Sequence, residues 1–413
     1  MYPSWRARQS VVALVFLCLY RLPVHAQSAE APPVTVKWNN GLDISTADGA
    51  NEFQAGAVIQ LDGRFGLDDP DHDVSDTFVM RRVRAIFQGR VSKYITFRLM
   101  PDFGNGQAIV PDAYVDVRFS SAFRIRFGKD KTPVGLEQLY SGPYLLFPER
   151  SLLSNLVPNR DLGVQAQGDL GAVSYVVGVF NGVPDALSGD LDTDTRKDLA
   201  ARVTVRAFTR TAGALQGLGV AAGATHGHES GALPSYHTTT QSVFFAYAPA
   251  TSADGSRTRV SPSVFYYYKS FGGFAEYAHN TQAVRGAAAH VDLTHTAWDF
   301  TGSYVLTGEA TSERGVMPQK PFDPAQHHWG AVQIAVRYSR LDLDPSAFSA
   351  GLATSTSSQA ARAMGIAATL YAGAFTKYVL SFERTVFDDG LQSHRAPENA
   401  LVFRLQLSLQ PSL

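Results

Sequence analysis

The chain lacks the features that would give it a covalent or helical scaffold. One cysteine, Cys18, occurs in 413 residues, and it sits near the N-terminus within Phe16-Leu17-Cys18-Leu19, surroundings unlike a lipoprotein cleavage site. No disulfide can staple the remainder, which must therefore hold together by backbone pairing and burial. No run of 18 apolar residues follows the N-terminal segment, so transmembrane helices are excluded as a means of crossing a bilayer. A membrane role would then demand a closed β-barrel, in which every backbone polar group finds a partner. Basic charge is not in excess either: 36 Lys and Arg stand against 37 Asp and Glu. That balance argues against a nucleic-acid partner, which favours a basic domain.

What is present begins with a leader. Arg6 and Arg8 precede an apolar run from Val11 to Tyr20, and Val24-His25-Ala26 leads into a polar stretch. This is the layout of a secretory signal peptide, with cleavage expected after Ala26. Residues 1–26 are set apart on that ground, and residues 27–413 read as one domain with no shift in composition. Without Arg6, Arg8 and Arg21 the balance becomes 33 basic against 37 acidic, a net charge of −4.

From residue 34 onward, apolar and polar side chains alternate with the period of two that marks a strand with two different faces. In Phe53 to Phe65, the set Phe53, Ala55, Ala57, Ile59 and Leu61 alternates with Gln54, Gln60, Asp62 and Arg64. The pattern recurs in Lys93 to Phe103, in Asp112 to Phe119, around Ala201 to Arg206 and around Val332 to Ser339. It is cleanest at the end, where Leu401, Phe403, Leu405, Leu407 and Leu409 alternate with Val402, Arg404, Gln406 and Ser408. Segments rich in Gly, Asp and Pro, such as Leu67 to Asp71, Asn181 to Pro184 and Ser346 to Gln359, punctuate the strands as turns and loops.

The fold class read from this is all-β, a transmembrane antiparallel barrel of about 16 strands (16–18). A single closed ring of that size leaves an aqueous channel. Alternation is equally compatible with a soluble β-sandwich whose apolar face points inward. Two features favour the barrel. So many strands follow without a linker, and Tyr266, Tyr267, Tyr268, Phe271, Phe274 and Tyr277 cluster near strand ends as a membrane-interface girdle requires.

Several short blocks resemble the phosphate-selective porin O and P family. They are Lys37 to Leu42, Ser45 to Gly49, Gln60 to Gly63, Phe78 to Arg84, Asp112 to Tyr114, Phe127 to Lys129, Thr132 to Glu137, Pro148 to Ser151, Gly178 to Gly182 and Phe403 to Gln406. Their order spans nearly the whole chain after the leader, weakly in its middle. The resemblance implies a 16-stranded barrel in the outer membrane of a Gram-negative bacterium, assembled as a homotrimer. It also implies an inward-folded constriction loop and a series of basic residues that pass anions. The ending Leu409-Gln410-Pro411-Ser412-Leu413 departs from the terminal aromatic usual in such barrels, leaving Leu409 to substitute.

If the aliphatic parity faces outer-membrane lipid, the other parity lines the channel. That row is rich in arginine: Arg82, Arg84, Arg98, Arg118, Arg124, Arg126, Arg202, Arg206, Arg337 and Arg404, with Arg257 and Arg259 added to them. A charge on the lipid face near the midplane costs roughly 2–4 kcal/mol, so these side chains are driven inward. Guanidinium stays charged and presents a planar fork that matches phosphate oxygens. The expected cargo is thus a small inorganic anion of the phosphate type, with no cofactor and no metal. The competing reading is an unselective porin in which carboxylates such as Asp112 and Asp116 neutralise the arginines.

The stretch from Lys129 to Arg160, interrupted by Pro133, Pro143, Pro148 and Pro158, is the candidate constriction loop. It would place Lys129, Lys131, Glu149 and Arg150 near the narrowest point. The resemblance supports Arg82 and Lys129 as pore residues. Strict alternation sets Arg81 opposite Arg82, so both can face the lumen only across a bulge or at a strand end.

Acidic residues gather instead in the punctuating segments, as at Asp68, Asp69, Asp71 and Asp73 or Asp190, Asp192 and Asp194. The second group opens like a calcium loop but lacks the glycine and the terminal glutamate, so an exposed acidic loop is the simpler reading. His226, His228 and Glu229 could ligate a metal, as could His327 and His328, but with no helix to set their spacing loop histidines are the simpler reading. A barrel enzyme of the lipase or protease kind would need a Ser/His/acid cluster at the rim. A secreted β-rich adhesin is the other alternative class.

Overall fold

Period-two alternation builds long antiparallel strands, and the ladder between the last and the first of them decides the architecture. The structure is a computed structural model describing residues 33–68, 75–190, 195–209, 211, 213–390 and 395–411. The leader at 1–26 with Cys18, and Asp69, Asp71, Asp73, Asp192 and Asp194, lie outside the described residues.

The first half of the sheet comprises β1 (Val34–Trp38), β2 (Leu42–Thr46), β3 (Glu52–Leu67), β4 (Thr77–Val91), β5 (Ile95–Asp102), β6 (Ile109–Arg118), β7 (Arg124–Lys131), β8 (Arg160–Leu170), β9 (Val173–Phe180), β10 (Asp198–Val205) and β11 (Leu218–Gly231). Two short strands in a connection follow, β12 (Tyr236–His237) and β13 (Val243–Phe245). The sheet resumes with β14 (Ser252–Tyr268), β15 (Phe271–Arg285) and β16 (His290–Val305). A second small pair, β17 (Thr311–Ser312) and β18 (Gly315–Val316), precedes β19 (Ala331–Asp342), β20 (Ala360–Tyr371), β21 (Thr376–Asp388) and β22 (Glu398–Leu409).

Strand β22 returns to pair with β3, from Asn399↔Leu67 to Leu409↔Ala57. That ladder closes β3–β11, β14–β16 and β19–β22 into a 16-strand antiparallel barrel. The β1–β2 hairpin lies outside the ring. It pairs with Glu52 to Ala55 of β3, just beyond the point where β22 stops. Closure leaves the ring without a free edge, so its backbone groups are paired all round.

The two faces separate as the alternation requires. In β22, Phe403 and Leu407 are exposed outside, while Arg404 and Gln406 are buried within. The girdle reading needs correction at two positions. Phe274 is buried inside beside Phe265, and Tyr267 packs against that same cluster, its hydroxyl donating to the Tyr140 hydroxyl at 3.2 Å. Tyr266, Tyr268, Phe271 and Tyr277 keep the outward parity; Tyr277 and Trp298 rings lie 4.4 Å apart.

The lumen is not uniformly wet. One side of it holds a dry cluster: Leu152, Leu153 and Leu156 from residues 132–159, Phe244 and Phe245 from residues 232–251, and Phe348 from residues 343–359 pack on Ala278, Ala361 and Ala363 of the wall. Full burial of each such large side chain stabilises by roughly 1.5–3 kcal/mol. Strand β20 shows how the sequence accommodates this. Its inward row begins Ala361, Ala363, Gly365 and Ala367, small enough to admit loop side chains, before Thr369 and Tyr371, while Met364 and Ile366 point out. Apolar residues on both parities thus mark a wall covered by loops. The rule that every inward residue lines the channel fails there.

Candidate functional site

Residues 132–159 turn into the barrel because its wall supplies their hydrogen bonds. Four prolines deny the segment a ladder of its own. Its carbonyls are met from inward side chains instead: Lys377 Nζ donates to Leu145 O at 3.0 Å, Gln406 Nε2 to Pro143 O at 3.2 Å and Arg337 Nη1 to Glu149 O at 2.9 Å. Across the lumen, Glu276 accepts from the backbone N–H of Leu136 and, at 3.2 Å, from that of Glu137. The loop is therefore shorter than expected. Lys129, Asp130 and Lys131 pair with Leu162, Asp161 and Arg160, extending β7 and β8 at its expense.

Glu149 is the knot of this loop. It accepts from Arg81 at 2.5 and 3.0 Å, from Arg64 at 3.0 Å and from Arg404 at 3.3 Å. Burial alone would raise its pKa, but the guanidinium groups of Arg81, Arg82 and Arg404 hold it well below the usual carboxylate range. Arg81 reaches Glu149 through a bulge. Gln60 pairs with Arg82 and Leu61 with Met80, so Arg81 is the extra residue and turns inward beside Arg82. Gly104 lies against this bulge; a Cβ there would come within 2.6 Å of the Arg81 carbonyl oxygen.

Two cavities lie on either side of the loop. The upper one, about 410 Å³, is lined by Arg81, Arg82, Arg84, Lys129, Arg150 and Arg160 against Asp102, Glu149 and Asp190. The lower one, about 730 Å³, is lined by Arg90, Lys93, Arg98, Arg118, Arg124, Arg126, Arg314 and Lys377 against Glu52 and Asp116. Asp112 links them. It accepts from Arg160 of the upper cavity at 2.7 Å and from Arg98 of the lower at 3.2 Å.

A family model described as phosphate-selective porin O and P matches residues 53–360. The chain belongs to the phosphate-selective porin O and P family. No curated protein sequence matches this porin. Among solved structures it resembles the anion-selective porin of Comamonas acidovorans, at TM-score 0.54 and 10% identity over 87% of this chain and 99% of that one. It also resembles a loop L8 deletion mutant of OmpT, an outer membrane protein of Vibrio cholerae, at TM-score 0.53 and 11% identity over 87% and 99%. Salmonella typhi OmpF in complex with daunomycin aligns at TM-score 0.52 and 10% identity over 91% and 100%. At these identities the likeness shows the fold. Family and fold together make this porin a channel of the outer membrane of a Gram-negative bacterium. Barrels there keep most of their longer loops outside the cell; the connections 132–159, 181–197, 232–251 and 343–359 open at the end of the upper cavity, against 306–330 at the other.

The porin disposes of its basic residues in three ways. Arg84 donates to Asp102 at 2.7 Å, Arg126 to Asp116 at 2.7 and 2.8 Å, and Lys129 to Asp190. These are carboxylate-neutralised. Arg82 donates to Gln60 at 2.7 Å and Arg124 to Gln167 at 2.9 Å, neither with a carboxylate among the described residues; Arg118 is exposed with no side-chain partner among them. The rest are braces. Lys131 Nζ donates to the carbonyls of Leu139 and Tyr140, and Arg150 to those of Glu137 and Tyr140. Burial pushes the Arg150 pKa down to about 10. Lys131, Glu149 and Arg150 thus hold the loop's shape, Glu149 and Arg150 from the lining of the upper cavity.

Four more arginines expected along the channel are buried in ion pairs. Arg257 is bound to Asp198 at 2.8 Å and Arg259 to Asp185 at 2.7 Å, both fully enclosed. Arg337 grips Glu383 at 2.6 Å, and Arg404 grips Asp62 at 2.6 Å. Arg202 is buried and lines neither cavity, while Arg206 pairs with Glu313 at 3.0 Å. Charge at an inward position announces a braced loop as readily as a conducting surface, since either keeps the group from lipid. Arg160, Arg90, Lys93, Arg314 and Lys377 were not singled out by alternation. Arg160 opens a strand, and Arg314 lies in a connection with no strand period to reveal its face.

Proposed function

We propose that this porin passes small anions of the phosphate type by diffusion, as a homotrimer. The observation that carries the reading is the Arg160–Asp112–Arg98 bridge. It continues basic side chains from the upper cavity to the lower past the inward loop. Both cavities carry more basic than acidic groups in their linings. At an effective dielectric of ~20, one charge pair at ~4 Å is worth about 4 kcal/mol before desolvation. Sharing that attraction among successive arginines keeps each step shallow enough for release. The family name and the anion-selective neighbour point the same way.

An unselective channel is the second reading, favoured by the carboxylates on Arg84, Arg126 and Lys129. Reversal potentials in a salt gradient separate the two. The informative variant is Arg118→Gln with Arg124→Gln, because neither residue leaves a carboxylate orphaned. Anion preference should fall; a wild type without preference, or a variant that keeps it in full, rejects the reading. Mass measurement of the detergent-solubilised channel tests the trimer.

A further inference from the structure

The two cavities differ in more than charge. Among the described residues Phe, Tyr and Trp are absent from the lining of the upper one, whereas the lower one includes Phe97, Tyr114, Tyr144, Tyr371 and Phe375, together with Val316 and Met317. Of these, Tyr114 is taken, since the Arg126 guanidinium lies 3.6 Å from its ring centre. Tyr371 is taken too, its hydroxyl donating to Gln333 at 2.8 Å. Tyr144 is not. It comes down from the inward loop, half-buried, and makes no side-chain hydrogen bond or ring contact among the described residues. Arg98 from the wall and Arg314 from the connection at 306–330 line the same cavity. The Arg314 side chain is exposed and unpaired among the described residues, as is that of Arg118.

A bare tetrahedral oxyanion would use only the charges of this chamber. Its size, about 730 Å³, is that of sites for small organic molecules. An open aromatic face beside unpaired guanidinium groups suits a ligand with a flat apolar body and a charged end. Resting on the anion-channel reading and deepening it, we propose that the lower cavity is a binding site for small aryl anions, an aryl phosphate or aryl carboxylate. The ring lies against Tyr144, and the charged end is held by Arg314 and Arg118.

Phenyl phosphate and methyl phosphate carry the same charged group and differ in the ring. Each is titrated as a blocker of chloride current through the full channel in planar bilayers, alongside the reversal potential in the same membranes. Phenyl phosphate should block at about five-fold lower concentration, the size of one aromatic contact. In Tyr144→Leu the two blockers should become equal while the reversal potential stays anion-selective. In Arg314→Gln, which leaves the loop and the ring untouched, both should weaken and the ring's advantage remain. Equal block in the wild type, or an advantage that survives Tyr144→Leu, overturns the site. A wild type without anion selectivity overturns the anion-channel reading instead, so the two failures are told apart.

Discussion

Arg81 and Glu149 meet through a doubled contact, Nε to Oε1 at 2.5 Å and Nη2 to Oε2 at 3.0 Å, although strict alternation would send Arg81 to lipid. The bulge opposite Gln60 and Leu61 reverses its face. It sets the loop's carboxylate against the wall at the level where the upper cavity begins. A fork of this kind is both strong and directional.

Removing the fork should loosen the loop without unfolding the barrel. Arg81→Gln leaves Glu149 with Arg64 and Arg404, so the loss should be about 1.5–3 kcal/mol, the worth of a hydrogen bond to a charged group. Glu149→Gln strips a partner from several buried guanidiniums at once and should cost more, roughly 3–5 kcal/mol. Unfolding midpoints in detergent would rank them, and single-channel current noise should rise in the same order. Equal midpoints for both variants and wild type would show that the loop is held elsewhere.

The same contact sets a pH dependence. The Glu149 carboxyl is held well below its ordinary value of 4.5. A group depressed in the folded state contributes stability that is present in full above its unfolded pKa and lost as pH falls through the folded one. Conductance should therefore be level from neutral pH down to the ordinary carboxylate range, with current noise rising only in stronger acid. Noise that rises between pH 7 and pH 5 would contradict the assignment.

Asp112 serves two arginines and reduces the net charge of the path between the cavities. Asp112→Asn keeps the shape and removes the charge, so anion preference should increase. A reversal potential shifted toward the anion limit is the expected result; a shift toward cations would mean that the freed arginines fold out of the path.

Orientation in lipid is testable at Ile366, half-exposed on the outer face in the middle of β20. Ile366→Arg should cost about 2–4 kcal/mol near the midplane and lower the yield of folding into vesicles. Exposed apolar positions of a water-soluble protein tolerate such a change. Unimpaired folding would place this face away from hydrocarbon.

Much of this protein is legible in its sequence because alternation is a local signal. A period of two over residues 53–65 or 401–409 names the strand and sorts its side chains into two opposite rows without knowledge of its neighbours. The two rows of each strand, a count of 16–18 strands and the proline-broken stretch follow from that reading, whereas the inward fold of that stretch follows from the family resemblance. So does the dilemma of Arg81 and Arg82, though not its resolution.

Tertiary structure decided which inward charges face water. Arg257, Arg259, Arg337 and Arg404 obey the same alternation as Arg98 and Arg118, yet loops from distant parts of the chain bring Asp185 onto Arg259 and Glu149 onto Arg404, while Glu383 of β21 meets Arg337 and Asp198 of β10 meets Arg257 within the wall. The physical reason is that a strand specifies a face, whereas the occupant of that face comes from contacts across the barrel. Alternation carries no term for a partner 255 residues away, the separation of Glu149 from Arg404.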